Sequence, residues 1–420
     1  MLIGVIADDL TGATDVALAL KSGGMRVVQI VGVPAAKLPA PDADAVVVAL
    51  KSRTIAAKDA VAQSLAALAW LRANGARQVL FKYCSTFDST AEGNIGPVAD
   101  ALADALGATQ AIFCPAFPKN RRTVYRGHLF VGDQLLSDSP MRDHPLTPMR
   151  EANLARVLAS QTRRRVGVVA LDVVAAGTQA VRERLAALDR EGVAFVIADA
   201  VTDADLATWA RAVEGSPLVT GGSGIAFELP HNFTGLGMPA LRDAAAPWPP
   251  IGGSCAVLSG SCSTATLGQV AAMAARYPSF SLDPLQGGDS LGLALRALEA
   301  AGDAVGRGPV LFYSTVEPAR IQEIQRQLGR EHAGDLVEQA FAELARRLVA
   351  RGVRRLVVAG GETSGAVVQG LGVQALEIGA EIDPGVPWTR TLGEPRLALA
   401  LKSGNFGGAD FFTKALGMIE

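Results

Sequence analysis

The chain has 420 residues and a mass of 43.4 kDa, which exceeds what one hydrophobic core normally supports, so two domains are predicted. Hydrophobic residues make up 49% and charged residues 19% of the sequence, a balance that excludes a disordered chain. The 39 basic and 41 acidic side chains leave a net charge of -2, which argues against a nucleic-acid-binding protein. The longest apolar runs are too short for a membrane-spanning helix.

In chain order, the first half alternates between short apolar strands and helices. The predicted strands are Leu2–Ala7, Met25–Val33, Asp44–Leu50, Gln78–Tyr83, Gln110–Cys114, Val166–Ala170 and Val193–Ala198, and the predicted helices include Thr11–Ser22 and Ala57–Asn74. Thr11 is expected to cap the first helix, which should close on Gly23. Strands that are apolar on both faces and separated by helices are typical of a mainly parallel sheet covered on both sides. The first half is therefore predicted to be an α/β domain.

Residues 243–253 contain three prolines and two glycines, and they predict a linker. After the linker the alternation restarts with strands at Cys255–Leu258, Gly308–Tyr313, Arg355–Ala359 and Leu397–Leu401, and with helices at Ala265–Tyr277, Asp335–Arg351 and Ser364–Gly370. We predict a first domain at residues 1–242 and a second at residues 254–420, each a mainly parallel sheet flanked by helices. Because ligands bind beyond the carboxyl ends of such strands, the active site is expected in the cleft between the domains.

Two adjacent carboxylates, Asp8 and Asp9, follow the first predicted strand directly. Neighbouring carboxylates repel each other unless a cation or a hydroxyl uses them. Either aspartate could orient a sugar hydroxyl or accept its proton, which makes both candidate catalytic residues. The alternative is that Asp9 only caps the following helix. Capping explains one carboxylate and leaves the other unexplained, so the catalytic interpretation is favoured.

A second polar segment begins at Lys82, at the end of another predicted strand, and leads through hydroxyl side chains to Asp88. Together with Arg53, these residues form a set suited to binding a polyhydroxy acid, with the cations facing its carboxylate. The alternative is that each charge is an ordinary solvated surface group. The basic run at residues 118–122 is either a lid over the substrate or a charged surface loop, and the sequence does not decide between them.

Loops rich in glycine and hydroxyl side chains follow three predicted strands of the second half. They are Leu258–Thr264, Ala359–Gly365 and Lys402–Gly408. Such loops leave backbone N–H groups open to a phosphate, although each alone could be an ordinary turn. Three of them in one domain favour a nucleotide site. The dipeptide Gly-Lys never occurs in the sequence, which excludes a P-loop.

The motifs at these strand ends resemble those of the four-carbon acid sugar kinases. Asp8–Ala13 resembles the opening signature of that family, and residues 360–365 and 402–407 resemble its nucleotide-domain motifs. The resemblance implies an N-terminal domain that binds the acid sugar and a C-terminal domain that binds ATP. By position it implies that ATP is held by Ser259, Gly360, Gly361, Glu362, Thr363, Gly404 and Asn405.

Two further segments, residues 82–93 and 113–122, are similar to the 3-oxo-tetronate kinase branch of the family. That similarity implies ATP-dependent phosphorylation of a C4 hydroxyl, giving the 4-phosphate and ADP, with Mg²⁺ bridging the phosphates. In the wider family Asp-Ser-Thr is followed by Leu-Arg-Gly-Asn, whereas here Asp88-Ser89-Thr90 is followed by Ala-Glu-Gly-Asn. The charge reversal at Glu92 predicts a substrate other than threonate or erythronate.

Other functions stay open at this level. One alternative is a kinase for D-threonate, D-erythronate or an L-isomer; another is a non-catalytic sensor of nucleotide and sugar acid. A dehydrogenase is disfavoured because the dinucleotide-binding fingerprint is absent from a strand–helix junction. The four scattered cysteines and the lack of a secretory signal predict a cytoplasmic protein that binds neither nucleic acid nor membrane. The sequence does not assign the metal ligands, the catalytic base or the oligomeric state, a homo-oligomer included.

Overall fold

The computed structural model describes residues 1–144, 147–236, 251–286 and 288–418. It divides into two compact units, Met1–Ala244 and Ala245–Glu420. Residues 243–250 of the predicted linker lie outside the described residues. Within the described ranges, no helix combines the length and the apolar character needed to cross a membrane.

The N-terminal unit is built on a parallel sheet with the strand order β2-β3-β1-β4-β11-β5-β10-β9, as far as the described residues show. Its strands are β1 (Ile3–Ala7), β2 (Val27–Val31), β3 (Ala45–Ala49), β4 (Gln78–Lys82), β5 (Ala111–Cys114), β6 (Arg122–Tyr125), β7 (His128–Val131), β8 (Gln134–Leu135), β9 (Arg165–Val169), β10 (Val193–Ala198) and β11 (Leu218–Gly221). Its helices are α1 (Leu10–Ser22), α2 (Ala57–Ala73), α3 (Ile95–Leu106), α4 (Leu154–Ala159), α5 (Leu171–Ala175), α6 (Thr178–Arg190), α7 (Asp203–Ala212) and α8 (Ser223–Ala226).

The first strand and helix show why the apolar pattern predicts this fold. All five residues of β1 are buried, since the strand pairs with neighbours on both sides. Asp9 caps α1, because its carboxylate accepts a hydrogen bond from the Gly12 N–H at 3.2 Å. The expectation that Thr11 caps this helix is wrong, since Thr11 lies inside the first turn. The N–H of Gly23 bonds to the Ala19 carbonyl, as predicted for the helix end.

The basic run at residues 118–122 leads into regular structure instead of a long loop. A 3-10 turn at Pro118–Asn120 is followed by the antiparallel strands β6, β7 and β8. This small sheet is tied back to the unit by Asp199, which accepts hydrogen bonds from the backbone N–H groups of Gly127 at 2.8 Å and Leu171 at 3.0 Å. The segment expected to form a lid or a charged surface loop thus continues into a small antiparallel sheet of its own.

The C-terminal unit also contains a mainly parallel sheet, with the order β13-β14-β12-β15-β18-β17-β16 among its described strands. Its strands are β12 (Ser254–Ser259), β13 (Ser279–Ser281), β14 (Val310–Tyr313), β15 (Val353–Ala359), β16 (Ala375–Asp383), β17 (Val386–Thr391) and β18 (Ala398–Lys402). Its helices are α9 (Thr264–Ala274), α10 (Ser290–Ala301), α11 (Ala304–Arg307), α12 (Pro318–Leu328), α13 (Arg330–Ala350), α14 (Gly361–Gly370) and α15 (Phe411–Gly417).

The predicted fold class is confirmed for both units, with one addition in the second. Strands β16 and β17 form a hairpin, in which β17 also pairs antiparallel with β18, and the sequence pattern does not identify it. One face of β17 is buried through Trp388, which packs with Phe411 and Phe412 of α15 in a shared apolar cluster. The Trp388 indole N–H donates to the Ala415 carbonyl at 3.1 Å, so its one polar atom is satisfied inside the core.

Candidate functional site

The carboxyl ends of β1, β3 and β4 lie side by side in the N-terminal unit. Parallel pairing places Ala7, the last residue of β1, opposite Ala49 of β3 and Lys82 of β4. The residues that follow these strands therefore meet at one edge of the sheet, where ligands of α/β proteins bind. The structure brings together here all five side chains predicted to act on the substrate, which are Asp8, Asp9, Arg53, Lys82 and Asp88.

The Arg53 guanidinium binds both adjacent aspartates. Its Nε and Nη2 donate to the two oxygens of Asp8 at 2.8 Å each, and Nη2 also donates to Asp9 Oδ1 at 2.6 Å. Its Nη1 lies 3.8 Å from Asp88 Oδ2. Bidentate pairing of an arginine with a carboxylate is strong and directional. Arg53 thus relieves the repulsion between the aspartates, a role that the sequence analysis did not assign to it.

The two aspartates differ in protonation and in accessibility. Burial raises the pKa of Asp8, and the nearby Arg53 only partly opposes this effect. Burial also acts to raise the pKa of Asp9, but Arg53, Lys82 and the Thr11 hydroxyl hold it well below its usual range. The Asp9 side chain is 25% exposed, against 9% for Asp8. Asp9 is therefore the ionised carboxylate that a ligand can reach more easily.

The ammonium of Lys82 has N–H donors that are not used by the described residues. Its ammonium lies 3.8 Å from Asp9 Oδ1, and the described residues include no closer polar partner for it. The lysine fits because residue 12 is glycine: a Cβ atom at Gly12 would lie 2.1 Å from the Lys82 Nζ. A cation with unused donors beside an ionised carboxylate can bind a ligand that carries both a carboxylate and a hydroxyl.

Asp88 is buried and accepts a hydrogen bond from the Thr86 hydroxyl at 2.6 Å. The Thr86 hydroxyl lies 2.9 Å from the Cys84 sulfur. Burial raises the pKa of the Cys84 thiol to about 11, so this cysteine is protonated at neutral pH and poorly suited to act as a nucleophile. Asp88 adds a third carboxylate to the site, against the two cations Arg53 and Lys82.

The segment that departs from the family pattern divides into a structural part and an exposed part. The Asn94 amide donates to the carbonyls of Ser52 at 2.7 Å and Ile55 at 2.9 Å, and so fixes the loop that carries Arg53. Sequence reasoning missed this role, because Asn94 and the loop at residues 52–55 are far apart in the chain. Glu92, the residue of reversed charge, is exposed. The departure therefore changes the surface charge of the segment and leaves its support of Arg53 in place.

In the C-terminal unit the carboxyl ends of β12, β15 and β18 are aligned in the same way. Parallel pairing places Ser259 opposite Ala359, and Ala359 opposite Lys402. The three loops predicted to bind nucleotide follow these residues directly. The Ser259 hydroxyl is buried and lies 2.7 Å from the Thr315 hydroxyl, which follows β14 and was not predicted as a site residue.

Three glycines let these loops approach each other closely. A Cβ atom at Gly260 would lie 2.1 Å from Thr363 Oγ1, and one at Gly404 would lie 2.4 Å from Ser261 Oγ. Gly360 has a φ of +126°, a conformation that side chains other than glycine rarely adopt. A residue with a side chain would fit these positions only after rearrangement. Glycine is therefore required at all three, and no side chain covers the backbone there.

Helix α14 begins within this group of loops. Its N-cap is Gly360, which offers no side chain to the first turn, and Thr363 is buried at the third helical position. The first N–H groups of a helix lack partners inside the helix and attract anions. Glu362 and Asn405 are exposed, whereas Gly361 starts the helix. This arrangement fits the phosphates of a nucleotide.

A fully buried lysine, Lys402, lies beneath the glycine loops. Its ammonium donates to the Thr266 hydroxyl and to the carbonyls of Ser403 and Gly404, each at 3.0 Å. The motif 402–407 contains this lysine, but its contact with Thr266 joins residues 136 positions apart and is not readable from the sequence. In the described residues, no cluster of three or more His, Cys, Asp or Glu side chains is arranged to hold a metal ion.

Two domain families match the chain. A sugar-binding N-terminal domain matches residues 3–229, and a nucleotide-binding C-terminal domain matches residues 256–412. Curated relatives named 3-oxo-tetronate kinase match the full chain. The protein from Burkholderia multivorans is 57% identical over 100% of this chain and 97% of its own length, and that from Actinobacillus succinogenes is 44% identical over 100% of both.

Solved structures resemble the chain over its whole length. A Salmonella typhimurium LT2 protein described as a candidate tRNA synthase has 43% sequence identity and a TM-score of 0.89, covering 100% of this chain and 99% of its own. A Haemophilus influenzae protein of the family designated DUF1537 has 43% identity and a TM-score of 0.80, covering 99% of this chain and 100% of its own. These matches support the α/β architecture described above.

Replacing Arg53 by methionine should destabilise the N-terminal unit. Without the guanidinium, Asp8 is left buried without its partner, and we expect the free energy of unfolding to fall by about 3 kcal/mol. Chemical denaturation followed by circular dichroism measures the change. Arg26→Met is the control, because its ion pairs with Asp42 and Asp44 are more exposed and should contribute at most about 1 kcal/mol. Equal losses in both variants would contradict the importance of the Arg53 contacts.

Proposed function

The chain belongs to the four-carbon acid sugar kinase family, and we propose that it phosphorylates the C4 hydroxyl of a 3-oxo-tetronate, with ATP as the donor. One observation supports the choice of substrate: relatives named for this activity match the chain from end to end at up to 57% identity. The protein is an enzyme that transfers a phosphoryl group to a hydroxyl. The sensor and dehydrogenase alternatives therefore lose their support, whereas a preference for another four-carbon acid remains to be tested.

The acid sugar is proposed to bind at the edge of the N-terminal sheet. Lys82 would bind its carboxylate, since the ammonium has unused donors and the side chain is only 5% exposed. Asp9 would accept a hydrogen bond from the reacting hydroxyl, because it is the more exposed of the two adjacent carboxylates. Asp88 and the Nη1 of Arg53 would complete the contacts to the remaining oxygens.

Asp9 suits this reaction although its pKa is low. Phosphoryl transfer passes through a loose transition state, in which the attacking hydroxyl needs orientation more than a strong base. Arg53 and Lys82 keep Asp9 ionised, so it stays a hydrogen-bond acceptor throughout the neutral pH range. Both oxygens of Asp8 are occupied by Arg53, and we propose that Asp8 acts by holding Arg53 in place.

The nucleotide is proposed to bind at the glycine loops of the C-terminal unit, and ATP supplies the phosphoryl group that is transferred. The bare backbone at Gly260, Gly360 and Gly404 and the open N-terminus of α14 support this assignment. The residues proposed to hold the nucleotide are Ser259, Gly360, Gly361, Glu362, Thr363, Gly404 and Asn405. Mg²⁺ is proposed to bind largely through phosphate oxygens and water, a mode that needs few protein carboxylates.

Transfer requires the acid sugar and the nucleotide to be brought together with water kept out, because water would otherwise accept the phosphoryl group. The cleft predicted from the sequence would meet this requirement, and it stays a prediction. The cytoplasmic location and a homo-oligomeric state also stay predictions.

A substrate panel tests the proposed function directly. With ATP and Mg²⁺, kcat/KM for 3-oxo-tetronate should exceed that for D-threonate and D-erythronate by about 100-fold or more, because a site shaped for a C3 carbonyl leaves polar groups unpaired around a hydroxyl. ADP release in a coupled assay is the measurement, with the free acid omitted as the blank. Equal or greater turnover of D-threonate would contradict the choice of substrate.

Asp9→Asn should lower kcat by about 100-fold or more, because the neutral amide is a weaker hydrogen-bond acceptor and no longer carries the charge that orients the hydroxyl. Affinity for ADP, measured by calorimetry, should stay within about twofold, since Asp9 belongs to the sugar-binding unit. The control is Asp42→Asn, which alters an exposed carboxylate with 89% of its side chain accessible. Full activity of the Asp9→Asn enzyme would remove Asp9 from the mechanism.

The proposed role of Mg²⁺ predicts that a chelator stops the reaction. With excess EDTA, turnover should fall to the background rate and should return when Mg²⁺ exceeds the chelator, because the metal neutralises charge that develops on the phosphates. The circular dichroism spectrum should not change, since the fold does not depend on a bound metal in this proposal. Turnover that persists in EDTA would contradict it.

A further inference from the structure

Lys402 is a buried cation whose charge has no acidic partner among the described residues. The side chain is fully buried, its ammonium donates to one hydroxyl and two carbonyl oxygens, and it lies 6.0 Å from the centroid of the Phe411 ring. By contrast, Lys82 in the N-terminal unit faces Asp9. Burying a charge without a counter-charge is costly, so such a group either becomes neutral or gains an opposite charge from a ligand.

The contacts of Lys402 also fix one loop of the nucleotide site. The carbonyl of Gly404 accepts hydrogen bonds from Ser263 Oγ at 2.6 Å, Thr266 Oγ1 at 2.8 Å and Lys402 Nζ at 3.0 Å. Ser263 is the N-cap of α9, and its hydroxyl accepts from the Thr266 N–H at 3.2 Å. Lys402 therefore joins the loop after β18 to the first turn of α9, at the place where both should face the phosphates.

Other charged groups around Lys402 do not compensate for it. Helix α9, which supplies Thr266, contains no charged residue. The titratable side chains on the neighbouring segments are Cys262, Glu362, Asp383, Asp410 and Lys414. None of them shifts the pKa of Lys402, which burial alone lowers to about 7.

We propose that Lys402 is the buried cation of the nucleotide site: it positions the Gly404 loop, and the phosphates of a bound nucleotide supply its counter-charge. The inference rests on the proposed nucleotide site. It adds to that site a charged residue that is buried behind the glycine loops. Residues 254–420 contain only one other lysine, Lys414, which is paired with Asp383 at the surface. In this proposal the C-terminal unit binds phosphate without a P-loop lysine. It uses the glycine loops instead, and the Lys402 ammonium holds the Gly404 loop in place.

This role has a consequence for protons. In the free protein Lys402 is only partly charged at pH 8, because its pKa is about 7. A phosphate nearby favours the charged form, so nucleotide binding at pH 8 takes up most of one proton, and affinity falls by up to about tenfold per pH unit above pH 7. An unfolded lysine keeps its proton up to a pKa of about 10.4. The free protein therefore gains stability from this group as the pH rises from 7 towards 10.

Calorimetric titration with ADP and Mg²⁺ at pH 8, in two buffers of different ionisation enthalpy, counts the protons taken up. The phosphates of ADP are already ionised at this pH, so they add little to the count. Wild type and Lys414→Met should take up most of one proton. Lys402→Met should take up none and should bind ADP about tenfold or more weakly at pH 7, where Lys402 of the bound wild-type protein carries its charge.

Two further variants separate charge from positioning. Lys402→Arg keeps a charge that does not titrate, so it should bind ADP without proton uptake. Thr266→Val removes the hydroxyl between Lys402 and Gly404, so it should lower the affinity while proton uptake persists. The proton count of the wild-type protein decides the question of charge even where a variant fails to fold.

The inference is overturned if wild type takes up no proton, or if folded Lys402→Met binds ADP with wild-type affinity and wild-type pH dependence. Absence of any ADP binding by wild type would overturn both this inference and the proposed nucleotide site. Binding of ADP without turnover of 3-oxo-tetronate would contradict the proposed substrate alone, and the proton count would still decide the role of Lys402.

Discussion

Parallel strand register is the constraint on which both candidate sites depend. Pairing of β1 with β4 puts Ala7 next to Lys82, and pairing of β15 with β18 puts Ala359 next to Lys402. A one-residue slip in either pair would turn each lysine to the opposite face of its sheet. The continuous apolar strands, buried on both faces, do not fix register through alternation, so the side chains and loops at the strand ends must contribute. The contacts that form each site thus also help to align its sheet.

The two sites resolve the cost of buried charge in opposite ways, and the difference fits their ligands. In the N-terminal unit, Arg53 and Lys82 face three carboxylates, so most of the charge is compensated within the protein. A small acid with hydroxyl groups can bind there by exchanging one set of polar partners for another. In the C-terminal unit, Lys402 lacks an acidic partner in the described structure, and helix α14 begins among the loops next to it, with first-turn N–H groups that have no partner inside the helix. That environment favours a ligand which brings negative charge, as a nucleotide does.

The sequence predicts the strands well where burial of apolar residues determines them. It predicts them poorly where contacts between distant segments of the chain determine the structure. β1 and β10 are recognisable because every neighbour of an apolar residue in them is also apolar or small. The hairpin of β16 and β17 escapes this pattern, since its apolar residues are interrupted by polar ones such as Glu377, which is half-buried and paired with Arg390 at 2.6 Å. The five predicted sugar-site residues meet at one sheet edge because they follow neighbouring strands. The contacts of Asn94 and Lys402 join distant segments, and no local pattern specifies them.

A net charge of -2 is compatible with phosphate binding only if attraction is concentrated at the site. Backbone N–H groups provide fixed dipoles that do not titrate, and they act on any anion of suitable size. A buried lysine differs, because the cost of charging it is offset only while an anion is present. A ligand without phosphates gains little from such a group, whereas a nucleotide gains a full charge interaction in a water-poor environment. Conditional charge of this kind would give selectivity for nucleotide without requiring a permanently basic surface.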